Sequence, residues 1–540
     1  MRLPRPAALV CGLTILSFVS TVSGGVDESD TLSGAISPAE ASRFLTQATL
    51  GANWEEIHRT ADLGVNAWLD EQFQQPIGFH QPLLELQAQP GVELTVDDRR
   101  AIWWKQVLEG SDPLRQRVAM ALSEIVVVSD ANGTVQATPL GLANYYDMLL
   151  GHAFGNYRDL LRGVTLHPLM GAYLSHLRNT RSSPGRFPDE NFAREIMQLF
   201  SIGLFELRPD GELLLDGAGQ PIPTYDNDDI TELAKVFTGL SFDGPDNDFS
   251  QGLPMWTAPM RMYEAWHEPG PKQLLRGIQI PAGQTGMQDV HDAVDSLFDH
   301  PNTGPFISRR LIQRLVTSNP DPEYIARVSA VFDDNGSGTR GDLQAVVRAI
   351  LTDADARSWP TNSEIHRGML RESFLRRVHL ARAFDARNFT FDYPINDSGA
   401  DDSFAQRPLS SPSVFNFFLP DYQPSGPISE ANLVSPEFQI ITAVTAISSA
   451  NSLRTQVDRA MNSATDPAQE VRLDLADEIA LAANPTALVD RLDLLLLYGD
   501  MSPAMRSLLI ASLTQENDTE TRARMAIHLI SISPEYCVAR

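Results

Sequence analysis

The chain has 540 residues, with 42 lysines and arginines against 69 aspartates and glutamates, a formal net charge of −27. This acidity argues against a nucleic-acid-binding protein, since such proteins need a basic surface to displace counterions. Two cysteines exclude a disulfide-rich scaffold and a cysteine-rich zinc or iron–sulfur site. Apolar residues make up 43% of the chain and charged residues 21%, which is typical of a folded protein.

The first residues are typical of a secretory signal peptide, which we place at residues 1–24. Arg2 and Arg5 precede a short apolar run from Ala7 to Val19, and small residues follow that run. A buried or membrane-anchoring helix is the alternative, which the shortness of the run disfavours. Cleavage would leave 40 basic against 69 acidic residues, a net charge of −29. We therefore expect an exported protein, periplasmic or extracellular, with no membrane span after cleavage.

Helical patterns dominate the N-terminal part. Ser37-Pro38-Ala39-Glu40 and Asn53-Trp54-Glu55-Glu56 each predict a helix that starts with a capping box. Asp112-Pro113 predicts another start, because apolar residues recur on one helical face after it. Asp189 is expected to cap a helix that runs to about Ile202.

A small β element and a long loop interrupt the helices. Turn residues flank the stretch Glu212–Leu215, which predicts a hairpin over Arg208–Gly219. Asp229 is then expected to cap a helix from Ile230 to Phe237. Residues 241–286 are rich in glycine and proline and predict a long ordered loop, with a strand at Leu274–Ile280.

The remaining pattern is helical again, apart from one loop-rich stretch. Helices are predicted at 287–299, 305–317, 322–332, 342–352 and 365–386, and in the last hundred residues. The fold class is therefore mainly α, a multi-helical globular protein with a small β-hairpin and long ordered loops. After residues 1–24, the predicted regions are an N-terminal helical region 37–205, a hairpin and long-loop insert 206–286, a central helical region 287–386, a loop-rich segment 387–436 and a C-terminal helical region 437–540.

The helix that follows Asp189 carries the first candidate site. Asn191, Arg194, Glu195 and Gln198 fall within about a third of its circumference at 100° per residue. These side chains would line a cleft, with Glu195 as a general acid or base and Arg194 holding an anion. An ordinary solvent-exposed face of an amphipathic helix explains the same spacing.

His267 and Lys272 form the second candidate site, within the long loop. A histidine titrates near neutral pH, and Lys272 is one of only three lysines in a chain that otherwise uses arginine. A compact ammonium group at this position would hold an anion. A structural loop with a hydrogen-bonded histidine is the alternative.

Arg309, Arg310 and Arg314 form a basic cluster in an acidic chain. The cluster would bind an acidic glycan or a phosphate, although a solvated helix face is the alternative.

The sequence predicts neither a metal site nor a cofactor. Two stretches rich in acidic residues, 226–229 and 333–338, are explained by turns and helix caps. The second also has Gln344 where a calcium loop needs a bidentate glutamate. No phosphate-binding or dinucleotide-binding fingerprint occurs.

Together, several segments resemble the bacterial family catalogued as domain of unknown function 1800. The segments are Ala41–Gly51, Asp189–Leu199, Asp229–Gly239, His267–Lys272, His300–Ile307 with the arginines after it, Ser411–Phe417 and Ser533–Tyr536. The resemblance spans residues 37–540. It implies a large, mainly helical, exported bacterial protein without an established activity. It also implies a partner, since genes of this family often lie beside those of domain of unknown function 1501, exported proteins similar to alkaline phosphatases and sulfatases.

Two functions follow as hypotheses. The first is an envelope- or polysaccharide-related protein that acts by binding, or by assembly with such a partner or with an anionic glycan. The absence of any recognised catalytic motif favours it. The second is a secreted hydrolase- or lyase-like enzyme, with Glu195 and His267 as catalytic groups and Arg194 or Lys272 as the anion clamp.

Overall fold

The computed structural model describes residues 34–540, except 361–363, 365, 396, 398 and 463. The predicted signal peptide lies outside these residues. The described part contains 26 α-helices and three two-stranded antiparallel sheets, which confirms the mainly α class. No helix in this part is long and apolar enough to cross a membrane.

The N-terminal region contains the first eleven helices. They are α1 (Pro38–Ala48), α2 (Trp54–Leu63), α3 (Val65–Gln74), α4 (Gln81–Gln87), α5 (Val96–Glu109), α6 (Pro113–Ser123), α7 (Gly133–Gln136), α8 (Pro139–His152), α9 (Tyr157–Leu166), α10 (Pro168–Tyr173) and α11 (Asn191–Gln198). Both predicted capping boxes are confirmed. Ser37 and Asn53 accept hydrogen bonds from the N–H groups of Glu40 and Glu56, whose carboxylates accept in return from the cap N–H groups.

Helix α11 is shorter than predicted. It ends at Gln198 rather than near Ile202, because the chain leaves the helix in a wide turn. The N–H groups of Ile202 and Gly203 both donate to the Met197 carbonyl, at 3.0 Å. Asp189 is not the cap residue but accepts a hydrogen bond from the Asn191 N–H at 2.9 Å.

The predicted hairpin is confirmed and is longer than expected. Antiparallel bridges join Leu207 to Leu213, Leu215 to Pro221 and Phe205 to Pro223, so a third run of chain returns beside the first. We call residues 204–223 the hairpin arm.

Helix α12 (Asn227–Val236) follows the arm, and its predicted cap is wrong. Asp226, not Asp229, is the cap residue, and it accepts from the N–H groups of Asp228 and Asp229. Asp229 completes the capping box by accepting from the Asp226 N–H.

The long loop contains four short strands instead of one. They are β1 (Leu240–Ser241), β2 (Arg261–Met262), β3 (Lys272–Gln273) and β4 (Gln279–Ile280). The predicted strand Leu274–Ile280 is wrong because β3 pairs with β4 and the chain turns between them. Arg276 lies in that turn with φ +57°.

The rest of the chain is helical. It contains α13 (Gly286–Phe298), α14 (Thr303–Leu315), α15 (Pro322–Asp333), α16 (Leu343–Thr352), α17 (Ala354–Arg357), β5 (Met369–Leu370), α18 (Ser373–Ala383), α19 (Ala400–Phe404), α20 (Pro427–Glu430), α21 (Ala443–Asp458), α22 (Ala476–Leu481), α23 (Pro485–Leu497), α24 (Pro503–Thr514), α25 (Thr519–Ser531), α26 (Pro534–Cys537) and β6 (Val538–Ala539). The helix predicted over 365–386 starts later, since β5 occupies part of that range and pairs with β6.

One continuous apolar core joins all five predicted regions. It includes Phe44, Phe237, Phe374, Phe404 and Leu496, one from each region in turn. The two ends of the described chain also meet, because Arg43 Nε donates to the Arg540 carbonyl at 2.7 Å. The region boundaries stay a prediction.

Candidate functional site

A cavity of about 440 Å³ lies between the end of α11, the hairpin arm, α14 and the loop 414–421. We call it the arginine cavity. Four predicted site residues line it, namely Gln198, Arg309, Arg310 and Arg314. The end of α11, helix α14 and the loop 414–421, which are far apart in the chain, therefore meet here. Each of these three overlaps a motif that carried the family resemblance.

Helix α14 positions the three arginines. Its apolar residues, among them Ile307, Leu311 and Leu315, are buried in the core and fix the helix. Arg310 and Arg314 are four residues apart and therefore neighbours on one face. Arg314 is only 6% exposed, so this face is not a freely solvated one.

Two of the three guanidinium groups have partners within the protein. Arg314 Nη1 lies 3.1 Å from Glu124 Oε2, and its guanidinium lies over the Phe418 ring. Arg310 Nη1 donates to Gln313 Oε1 at 2.9 Å. Burial lowers the pKa of Arg310 to about 9, which leaves it cationic at neutral pH.

Arg309 lacks such a partner. Within the described part of the chain its guanidinium makes no hydrogen bond and no ion pair, and its Nε is buried. Burial lowers the pKa of Arg309, and the charge of Asp421, which also lines the cavity, raises it in part. A buried donor without an acceptor costs about 1–3 kcal/mol, which an anionic ligand would recover.

Asn416 adds a second unsatisfied donor to the same cavity. Its backbone is left-handed, with φ +65°, and its residue is 6% exposed. The side-chain amide nitrogen is buried without a hydrogen-bond partner. The sequence pointed to Asn416 only as part of the Ser411–Phe417 motif, since nothing local distinguishes it from a turn asparagine.

The rest of the cavity wall is apolar and partly open. Phe205 and Leu213 from the arm, and Phe415 and Leu419 from the facing loop, are each about two-fifths exposed. A mostly apolar pocket with a few converging polar groups is the usual form of a ligand site. The cavity suits a ligand that carries an anionic group on a less polar body.

Glu124 lies at the side of the cavity where Arg314 is held. It follows α6, and its Oε1 accepts a hydrogen bond from Gln406 at 3.2 Å. Burial, with the neighbouring Glu372 as the next cause, raises the pKa of Glu124 to about 8. No sequence pattern marks this residue, because an acid after an amphipathic helix carries no signal of its own.

The other polar residues of α11 separate in the fold. Asn191 is exposed, and Arg194 is half-buried 3.7 Å from Glu190. Glu195 is 5% exposed, and burial raises the pKa of its carboxyl group. Only Gln198 reaches the arginine cavity, where its Oε1 accepts from the Tyr225 hydroxyl at 3.3 Å.

His267 and Lys272 belong to a buried polar cluster around Asp289. His267 Nε2 lies 2.9 Å from Asp289 Oδ2, and its Nδ1 lies 2.9 Å from the Thr238 carbonyl oxygen. The Lys272 ammonium donates to Asp289 and to the carbonyls of Glu268 and Gly270. All three ammonium donors are therefore used inside the protein.

The two predicted catalytic residues do not share a hydrogen-bonded cluster. No hydrogen bond or ion pair joins Glu195 to His267 within the described residues, although α12 contacts both α11 and β3. Their catalytic roles stay a prediction. No group of three metal-ligating side chains occurs in the part of the chain that the structure describes.

Fold and cavity together define a mainly helical protein with an arginine-lined cavity. The chain belongs to the family described as "Protein of unknown function (DUF1800)", which matches residues 43–538. No curated protein and no solved structure matches it. The resemblance found in the sequence is thereby confirmed over nearly its whole predicted span.

Proposed function

We propose that the protein binds an anionic ligand in the arginine cavity, and that this ligand is an anionic glycan of the cell envelope. The observation that carries the proposal is Arg309, a half-buried cation without a hydrogen-bond or ion-pair partner in the described chain. A carboxylate or a phosphate or sulfate ester would supply the missing acceptor.

Two further features support a glycan. The buried amide of Asn416 offers a donor that a sugar hydroxyl or carboxylate would accept. The rings of Phe205 and Phe415 stand half-exposed at the wall, where the less polar face of a sugar ring would pack.

The proposal is one of binding or assembly rather than hydrolysis or elimination. His267 has oxygen partners at both ring nitrogens, and Lys272 uses all its donors within the protein. Neither side chain is free to act on a ligand without losing a buried partner.

The test is calorimetric titration with trigalacturonate, a short glycan that carries three carboxylates. We expect binding that Arg309→Gln weakens at least tenfold, since a hydrogen bond to a charged group is worth about 1.5–3 kcal/mol. The matched control is Arg459→Gln, an exposed arginine outside the cavity lining, which should leave the affinity unchanged.

The neutral trisaccharide maltotriose serves as the ligand control and should bind far more weakly. Equal affinity of the wild type and Arg309→Gln for trigalacturonate, or no binding at all, would contradict the proposal.

The setting of this activity is also a proposal. The apolar run behind Arg2 and Arg5 supports export, and the family resemblance supports a partner of the domain of unknown function 1501 family. Affinity purification of the tagged chain from fractionated native host should recover it outside the cytoplasm, together with that partner. Recovery from the cytoplasm alone would contradict export.

A further inference from the structure

Three buried carboxyl groups lie together beside the arginine cavity, on the side of Arg314. They belong to Glu124, Glu372 and Glu437, none of which is more than 7% exposed. The Gln406 amide donates to Glu124 Oε1 and to Glu372 Oε2, so one side chain bridges two of the acids. Glu437 belongs to the same set, because the charge of Glu372 raises its pKa and the charge of Arg314 lowers it. We call this set the carboxyl group cluster.

Two guanidinium groups face the cluster. Arg314 forms an ion pair with Glu124, and Arg117 from α6 acts on both Glu124 and Glu372. Three carboxyl groups against two cations give a net charge of −1 when all three are ionised and +1 when two hold protons. The proton count of the cluster therefore decides whether the cavity side of Arg314 attracts or repels an anion.

Burial favours the protonated forms. Glu437 Oε2 is buried without a hydrogen-bond donor, a costly position for an ionised carboxylate. Burial is the largest cause that raises the pKa of Glu124 and the pKa of Glu437, each to about 8. The charge of Glu372 raises both pKa values, so Glu124 and Glu437 release their protons as a linked pair.

We infer that anion binding in the arginine cavity is coupled to proton uptake by the carboxyl group cluster. The inference rests on the proposed function and names its regulation. Arg314 provides the link, because it lines the cavity and is paired with Glu124. An anion beside Arg314 adds negative charge near Glu124 and thus favours the protonated carboxyl. By reciprocity, protonation of the cluster strengthens anion binding.

The sign of the pH dependence follows. Below about pH 7 Glu124 and Glu437 hold their protons in both states, so the affinity is constant. As the pH rises through 8 the free protein loses protons that the complex retains, and the affinity falls by up to about tenfold per pH unit for each linked proton.

Other charged groups face the same cavity and have to be separated from the cluster. Deprotonation of Arg310, whose pKa burial lowers to about 9, also weakens anion binding, but at higher pH. Deprotonation of Arg309 would weaken anion binding in the same way, and Asp421 is an acid that also lines the cavity. Glutamine variants of the cluster leave these three residues in place and so isolate its contribution.

The experiment measures trigalacturonate affinity from pH 6 to pH 9 by calorimetry. For the wild type we expect at least a tenfold loss between pH 7 and pH 9. At pH 8.5, the binding enthalpy should differ between two amine buffers of different ionisation enthalpy, which reports proton uptake. Glu372→Gln removes the charge that raises the pKa of Glu124 and of Glu437, so it should flatten the pH profile and reduce the proton uptake. The exposed control Glu430→Gln should match the wild type.

The two proposals fail in distinguishable ways. Binding that depends on Arg309 but shows no proton uptake, or the same pH profile in Glu372→Gln as in the wild type, would overturn the coupling alone. Binding that ignores Arg309→Gln would overturn the proposed function. If Glu372→Gln does not fold, Glu437→Gln replaces it, with the same expected loss of proton uptake in the two-buffer measurement.

Discussion

At the scale of the residue, Asp289 shows how a loop is fixed by buried charge. It accepts from His267 and Lys272, two residues that precede it in the long loop. Burial alone would raise the pKa of Asp289, but these two hydrogen bonds outweigh burial and lower it. The cluster therefore ties the long loop to helix α13.

Asp289→Asn should destabilise the protein by about 3–5 kcal/mol, because it leaves the buried Lys272 ammonium without its counterion. The measurement is urea unfolding at pH 7. Because the pKa of Asp289 is lowered, its carboxylate contributes stability that is lost as the pH falls through that pKa. The difference from the wild type should therefore shrink in acid. Asp299→Asn, at an exposed site just after the C-terminal end of the same helix, should change stability by less than about 0.5 kcal/mol.

Glu195 offers a second prediction at this scale. Burial raises the pKa of its carboxyl group, and its Oε2 has no hydrogen-bond partner in the described chain. The folded state thus binds the proton more tightly than the unfolded state, and the stability from this proton is lost as the pH rises. Glu195→Gln, which is neutral and of equal size, should be at least as stable as the wild type at pH 8.

The contrast variant is Glu195→Ala, which leaves a cavity next to Tyr225 and Gln198. It should unfold at lower urea concentration than Glu195→Gln. A Glu195→Gln protein that is much less stable than the wild type would show that the ionised carboxylate is needed.

At the scale of the element, the connection between α15 and α16 depends on one glycine. Gly341 has φ +75°, its N–H donates to the Phe332 carbonyl, and its own carbonyl accepts from the Tyr157 N–H. A Cβ at this position would lie 2.5 Å from the Phe298 ring. The loop therefore joins α9, α13 and α15 only if this residue lacks a side chain.

Gly341→Ala should cost more than the matched variant Gly338→Ala. Gly338 has a similar φ of +81°, but no atom lies within 4 Å of the position that a Cβ would take there. Gly338→Ala therefore carries only backbone strain, about 1–2 kcal/mol, whereas Gly341→Ala adds a steric clash with a packed ring. Thermal unfolding of both variants tests this, and equal melting temperatures would contradict it.

Elements also show where local prediction works. The capping boxes at Ser37 and Asn53 were found from the sequence because their partners lie three residues away. The end of α11 was misplaced because the turn after Gln198 has no distinguishing residue before Gly203. The β3–β4 hairpin was misread as one strand, since Arg276 gives no sign of its left-handed backbone.

At the scale of the whole molecule, buried acids and histidines set the pH of greatest stability. Burial raises the pKa of Glu124, Glu437 and Asp147, the last to about 7. Unfolded carboxyl groups titrate near pH 4, so the stability from these protons is full below that value, declines as the pH rises above it, and is gone above the folded pKa values of about 7 and 8. Each proton is worth up to about 1.4 kcal/mol per pH unit.

Buried histidines act in the opposite direction at lower pH. Burial lowers the pKa of His80 and of His167 to about 3, lowers the pKa of His176 and of His300 to about 4, and lowers the pKa of His379 well below its usual value. An unfolded histidine gains its proton below about pH 6.5, so these residues cost stability as the pH falls below that value.

Between pH 4 and pH 6.5 these five histidines outnumber the three acids, so the two effects together predict greatest stability near pH 6.5. The melting temperature should fall from pH 6.5 to pH 8.5, and Glu437→Gln should make this fall shallower. The exposed Glu430→Gln serves as the control and should follow the wild type. A melting temperature that rises steadily to pH 8.5 would contradict the prediction.

The sequence by itself determined the properties that depend on neighbouring residues. Composition, helix caps and helical periodicity established the mainly α class, and the motifs established the family. It also identified Arg309, Arg310, Arg314 and Gln198 as polar residues of interest, but without indicating that they share a cavity.

Only the tertiary structure decided which of these residues meet. Glu124, Gln198, Arg309 and Asn416 lie far apart in the chain, and no short-range pattern encodes their approach. Packing around a shared core brings them together. It leaves Arg309 Nε and Asn416 Nδ2 buried without hydrogen-bond partners and raises the pKa of Glu124. The same burial fixes His267 and Lys272 around Asp289, which their place in a long loop did not indicate. Local patterns specify the helices, but the electrostatics of a site depend on which charges the packed core excludes from water.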